Sequence, residues 1–221
     1  MLVSAAVCPH PPLLVPELAG SEAGEIDDLR SACVAAIDAV RATEPELLVV
    51  VGSDQATRRY APGTGGSFAA YGADVAVSLP GDSAADGNDR LPLSLSVAGW
   101  LLIQAGWSSD VPGQAVGESS PAEECRRLGI QLAQETDRLA LLVMGDGSVG
   151  RPSAAPAFVD ERAERFDAAV GDALRTADPA ALMALDPTLG AELRAVGRAP
   201  WQVLAGAAGD AAFDAELLYE N

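Results

Sequence analysis

Three short apolar runs, Leu2–Val7, Leu47–Val51 and Leu139–Met144, constrain this chain more than any other feature. Each is strand-sized and rich in Val or Leu. None shows the polar alternation of a strand with one wet face, so each reads as a strand buried on both sides. Helical periodicity fills the spaces between them. Ile26, Leu29, Cys33, Ile37 and Val40 recur at three- and four-residue steps, Asp27, Asp28, Arg30, Asp38 and Arg41 fall on the opposite side, and Pro45 ends the pattern. Val75–Leu79 is a further strand candidate and Gln114–Gly117 a short one. Leu91–Trp107 reads as a nearly all-apolar helix packed between the sheet and another layer, and Pro121–Thr136 as a second helix. Val159, Ala163, Phe166, Val170 and Leu174 mark one side of a long amphipathic helix. Pro179–Leu185 and Pro200–Ala208 are short helices, and Phe213–Tyr219 is a last strand-like stretch. Strands alternating with helices of this length predict an α/β fold with a mainly parallel central sheet and helices on both faces. No repeat or linker divides the 221 residues, which suffice for one domain spanning 1–221.

Charge and cysteine usage exclude several classes. The 32 acidic residues outnumber the 14 basic ones, giving a formal net charge of −18, and every basic residue is arginine. Phosphate contacts need clustered cations, so nucleic acid and anionic membranes are not expected partners. The adjacent Arg58 and Arg59 could meet an anionic ligand or simply form a solvated pair. Three widely spaced cysteines, Cys8, Cys33 and Cys125, form no CxxC, so neither a zinc knuckle nor a disulfide framework is indicated. Cys8 and Cys33 read as small buried hydrophobes. With no charged-then-apolar leader and no apolar run near eighteen residues, a reduced, cytoplasmic protein is expected. Trp100, Trp107 and Trp201 belong on apolar helical faces. Leu91–Ile103 could serve a core or a homo-oligomer interface.

Chemistry is bounded by a single histidine, His10, in Cys8-Pro9-His10-Pro11-Pro12. No multi-histidine metal site can be built within one chain, and any Ser-His-Asp arrangement must use His10 as its base. Its position, where a buried strand gives way to a proline-stiffened loop, is where open α/β sheets place ligands. A structural histidine tying down the loop is the alternative. Two other irregular segments follow buried strands. One is Gly52–Ala56, continued by the Gly-rich Pro62–Ser67; the other is Gly145-Asp146-Gly147-Ser148-Val149-Gly150. If the strands are parallel, these loops converge, and His10, Asp54, Gln55, Asp146 and Ser148 line one crevice. Neither glycine-rich segment fits a phosphate cradle, and Gly145–Gly150 is also consistent with a plain tight turn.

Four segments together carry a family resemblance: Val7–Pro12, Val49–Ala56, Val143–Gly150 and Gly197–Leu204. Their order resembles the class III extradiol ring-cleavage dioxygenase catalytic-subunit superfamily, which includes the Memo-like proteins. The resemblance implies an α/β scaffold with non-haem Fe(II) held by two histidines and a carboxylate, and a further histidine as acid/base. His10 matches the first family histidine and is the one retained metal ligand, with Asp54 as a possible second. Where the family places its next imidazole this chain has Ser53-Asp54-Gln55, and the acid/base position holds Val149. In the Memo-like Cys-Gly-Arg-x-Pro pattern, Val196 stands in the ligand slot before Gly197-Arg198. Relatives run on through one more strand, so a shortened C-terminus is expected. Iron would therefore be weakly held or absent, because Fe(II) needs a facial set of three donors, and no cofactor is expected. The crevice is then expected to bind an unidentified small molecule or protein. The alternative is a metal-dependent oxygenase or oxidoreductase built from His10, Asp54 and either Asp146 or Glu118. Metal-free hydrolysis through Ser148 and His10 is a third arrangement, with His10, Asp146 and Ser148 as the candidate catalytic groups.

Overall fold

A computed structural model of the chain describes residues 1–20, 24, 26–82, 90–149 and 160–220. Gly150 and Val159, each at the edge of a segment singled out above, lie outside the described residues. The fold is α/β. A five-stranded sheet runs in the order β1 (Leu2–Cys8), β7 (Leu139–Met144), β2 (Leu47–Asp54), β6 (Gly113–Gly117), β3 (Arg58–Tyr60). The first four strands are mutually parallel, and β3 runs antiparallel to β6 at the edge.

The apolar runs form strands because both faces of each are covered. Along β7, Ala140, Leu142 and Met144 join one core, while Leu139, Leu141 and Val143 join the other; along β2, Leu48 and Val50 separate from Val49 and Val51 in the same way. The first core is closed by α2 (Asp27–Ala42) and α3 (Leu93–Gln104). The second is closed by α4 (Ala122–Ala133), α5 (Glu161–Arg175), α6 (Pro179–Met183) and α8 (Arg198–Ala208). Two further short helices, α1 (Pro16–Ala19) and α7 (Pro187–Glu192), sit in the connections. Asp160, Asp178 and Asp186 start α5, α6 and α7 by accepting first-turn backbone N–H bonds. Among the described residues no helix is long and apolar enough to cross a membrane.

Several expectations shift. Val75–Leu79 gives β5 (Ala76–Ser78), which pairs with β4 (Gly65–Ser67) in a separate two-stranded ribbon and not in the central sheet. The Gly-rich Pro62–Ser67 segment does not reach the strand-end crevice. β3 turns the chain back so that Tyr60 lies opposite Gly113, the first residue of β6, which leaves the segment at the other sheet edge. β2 extends to Asp54 because Gly52, Ser53 and Asp54 pair with β6. The helix over Leu91–Trp107 is shorter, starting after Pro92 and closing before Gly106, whose φ is +65°. The last helix begins at Arg198, two residues before Pro200. Phe213–Tyr219 forms no strand: the segment is irregular, Leu217 and Leu218 are exposed, and Phe213 packs on the second core.

Candidate functional site

The carboxyl ends of β1, β7, β2 and β6 share one sheet edge, because those strands are parallel. At β1 and β7 the backbone is stitched together: Gly145 N–H donates to Cys8 C=O at 2.9 Å. Two residues on, His10 N–H donates to Asp146 Oδ1 at 2.7 Å. The imidazole of His10 is buried, at 4 % exposure, and its Nε2 stands 3.7 Å from Asp146 Oδ2. That separation is too long for a hydrogen bond but short enough for the carboxylate's charge to act on the ring. Burial pulls His10 below its ordinary pKa and outweighs the opposite pull of Asp146, so the ring is neutral at pH 7. Its Nδ1 is buried with no hydrogen-bond partner among the described residues.

Asp146 is held from the other side by α8, since its C=O accepts the Gly197 N–H at 2.9 Å. Trp201 lies over this junction. A Cβ on Gly145 would come within 2.6 Å of Trp201 Nε1, and one on Gly197 within 2.3 Å of the indole ring, so both positions need glycine for the ring to approach. Trp201 Nε1 is also buried without a partner among the described residues.

Ser148 does not serve His10. Its N–H and its Oγ–H each donate to a carboxylate oxygen of Asp167 on α5, both at 2.8 Å. With the hydroxyl committed to a carboxylate, no Ser-His dyad forms, and the hydrolytic arrangement fails on geometry. Ser148, Asp167, Gly147, Val170, Gly171 and Trp201 line an open cleft of about 260 Å³. Val149 is 51 % exposed and anchored through its N–H to Leu193 C=O, whereas Val196 is half-buried in the turn that precedes Gly197.

The residues after β2 face another neighbour. Asp54 caps its own turn, accepting the Gln55 N–H at 2.8 Å, and its C=O accepts the Glu118 N–H at 2.9 Å. Partial burial and the charge of Asp54 raise the pKa of Glu118. Gln55 is exposed. The crevice is thus divided, with His10 and Asp146 at β1 and β7, and Asp54 and Glu118 at β2 and β6. Among the described residues no three His, Cys, Asp or Glu side chains come together as a group that could hold a metal ion. Gln55, Val149 and Val196 add no strong donor. The three-donor facial set that Fe(II) requires does not fit these residues.

Beneath the β6 end lies a second buried polar node. Arg198 is 2 % exposed and donates to Ser120 C=O at 2.6 Å, to Gln202 Oε1 at 3.1 Å and to Glu118 C=O. Gln202, fully buried, passes the network on to Leu185 C=O at 2.9 Å. Burial draws the Arg198 pKa down, but carbonyl oxygens surround the guanidinium. Sequence reasoning missed Asp167. Its signal was present: an acid four residues after Ala163 and three before Val170 sits inside the apolar stripe of α5.

No protein-family model and no curated protein matches the chain. Among solved structures, it is similar to the crystal structure of an uncharacterized protein, JW3007, from Escherichia coli K12. The TM-score is 0.48 at 18% identity, over 79% of this chain and 81% of that one.

Proposed function

We propose that the chain is a divergent relative of the class III extradiol dioxygenases and Memo-like proteins, and that its strand-end crevice binds a small molecule or a protein partner in place of iron-dependent ring cleavage. One observation carries this reading: the carboxylate beside the only imidazole is spent as a latch. Asp146 Oδ1 takes the His10 backbone N–H at 2.7 Å, while the imidazole stays 3.7 Å from Oδ2. That leaves one imidazole and one carboxylate oxygen at this end of the crevice, two donors where a facial iron site needs three. The other positions where the family's functional side chains would fall hold Gln55, Val149 and Val196, which neither bind iron firmly nor transfer a proton. The motif glycines and Arg198 persist as packing and hydrogen-bonding elements.

The deciding experiment is metal content by plasma mass spectrometry, after anaerobic loading with Fe(II), beside His10→Ala. Sub-stoichiometric iron, equal in the two proteins, is expected. One equivalent that disappears in His10→Ala would overturn the reading in favour of a metal-dependent enzyme, in which the unpartnered Nδ1 of His10 supplies a donor.

A further inference from the structure

The two edges of the central sheet are finished differently. At one, β3 is three residues long and carries Arg58 and Arg59, and short, charged edge strands resist further pairing. At the other, β1 runs for seven residues, Leu2–Cys8, without a charged side chain or a proline. Its inner side pairs with β7, where Cys8 C=O takes the Gly145 N–H. In the alternation of a parallel ladder, Ser4, Ala6 and Cys8 then turn their backbone groups inward, and Ala5 and Val7 turn theirs outward. Among the described residues no strand meets that outer side, no loop or helix backbone bonds to Ala5 or Val7, and Ala5 is exposed. The open stretch has defined ends. The register with β7 slips at Val3, and Pro9 has no N–H to offer. Ser4–Cys8 is what remains, and Ala6 is its centre.

We propose that this edge is the interface of a two-fold dimer, in which β1 pairs antiparallel with β1 of a second copy about Ala6 and joins the two central sheets into one. With Ala6 opposite its own copy, Ala5 stands opposite Val7, and each such pair exchanges two N–H···O=C bonds. The neighbouring in-phase registers would set Val3 or Pro9 against an outward group of the other copy. A second copy is the occupant that fits. The stretch matches itself, and two chains of net charge −18 approach most easily where neither presents charge. A stable dimer buries about 1,200–2,000 Å² in total, more than a strand edge supplies, so α2 joins across the axis. α2 packs on β1; Arg30 and Arg41 turn toward Leu14 C=O and Ala105 C=O, and the opposite flank of the helix is Ala32, Ala36 and Ala39. Alanines there let the two α2 helices approach. Asp27 and Asp38 on α2 are ion-paired with the same two arginines. The apolar Leu91–Ile103 segment does not compete for this role, because Leu95, Leu101 and Leu102 are fully buried in the first core. Antiparallel pairing points the carboxyl ends of the two sheets in opposite directions, which leaves both His10 crevices open. The proposal stands whether or not the crevice binds a ligand.

Sedimentation velocity on the full chain reads the assembly, and backbone amide hydrogen exchange by NMR reads the edge itself. The expected species has twice the 22.5 kDa chain mass. In it the Ala5 and Val7 amides should exchange on the order of tenfold more slowly than in Ala5→Arg, and should speed up on dilution. Ala5→Arg sets a charge beside Val7 of the other copy while the ladder to β7 is kept, so a monomer with an unchanged circular dichroism spectrum is expected. A monomer at every concentration, an open-ended larger species, a dimer whose Ala5 and Val7 amides exchange freely, or a dimer that survives Ala5→Arg would each overturn the proposal. Dilution of the wild type decides this even if the variant fails to fold.

Discussion

Two buried polar nodes sit at the same sheet edge, and they are built in opposite ways. Arg198 carries a full charge into the core, yet its guanidinium is met by Glu118 C=O, Ser120 C=O and Gln202 Oε1. His10 is neutral and smaller, yet among the described residues its Nδ1 has no partner, and the neighbouring Trp201 Nε1 has none either. A buried group whose bonding capacity is met is scaffold; one left unmet has a cost of about 1–3 kcal/mol unless something else meets it. The contrast sets an end of the crevice whose buried polar groups are satisfied against one whose buried nitrogens find no partner among the described residues.

The largest break in the contrast should come from Arg198→Met. Removing the donors leaves buried carbonyls without partners, so a loss of about 3–5 kcal/mol is expected in urea unfolding. A loss under about 1 kcal/mol would mean the guanidinium is not structural. Gly197→Val is expected to cost about 1–3 kcal/mol, because the added carbons collide with the Trp201 ring. In a Trp100→Phe/Trp107→Phe background, where Trp201 is the one indole left, a shifted emission maximum at unchanged secondary structure would locate that strain at the His10 end.

Ser148→Ala separates Ser148 from His10. It removes one bond to Asp167, so stability should fall by about 1 kcal/mol. The acid-side stability profile governed by His10 should not move; a shift would reinstate a Ser148–His10 link. The smallest effect concerns that profile itself. Burial holds folded His10 below 6.5, so on acidification the unfolded chain takes up the proton first. Stability therefore declines as pH falls from about 6.5 toward the folded value, and is fully present above that window. Asp146→Asn keeps an oxygen for the His10 N–H but removes the charge that offsets burial. Its acid loss should exceed that of wild type by up to about 1 kcal/mol in urea midpoints at pH 5 and 7.5. A shallower loss would show that the carboxylate does not act on the ring.

The α/β class, the strands β1, β2 and β7, and the helices α2, α4 and α5 were legible because apolar patterning is local. Leu139–Met144 needs no partner to be recognised as a strand buried on both faces. The β4–β5 ribbon was not legible, since Val75–Leu79 carries the same apolar character whichever sheet it joins. Phe213–Tyr219 misled for the same reason: its pattern suits a strand, but no neighbour pairs with it. At the site, the loop positions of His10, Asp146 and Ser148 were readable, and the pairing of His10 with Asp146 follows from parallel neighbours. Which side chains pair across loops was not readable. Asp54 turning to Gln55 N–H and Glu118, and Ser148 turning to Asp167, depend on loop geometry that apolar periodicity does not encode.

A single histidine makes the central claim directly measurable, because selectively labelled protein gives one imidazole spectrum. Nitrogen NMR of His10 across pH, with and without one equivalent of a diamagnetic divalent ion such as Zn(II), reads both its protonation and its ligation. The account predicts a pKa below 6.5 and resonances unchanged by the ion, with the ring neutral at pH 7 and latched beside Asp146. A stoichiometric shift of Nδ1 or Nε2 on adding the ion, lost on Asp54→Ala or Asp146→Ala, would contradict it and restore a metal centre to the crevice.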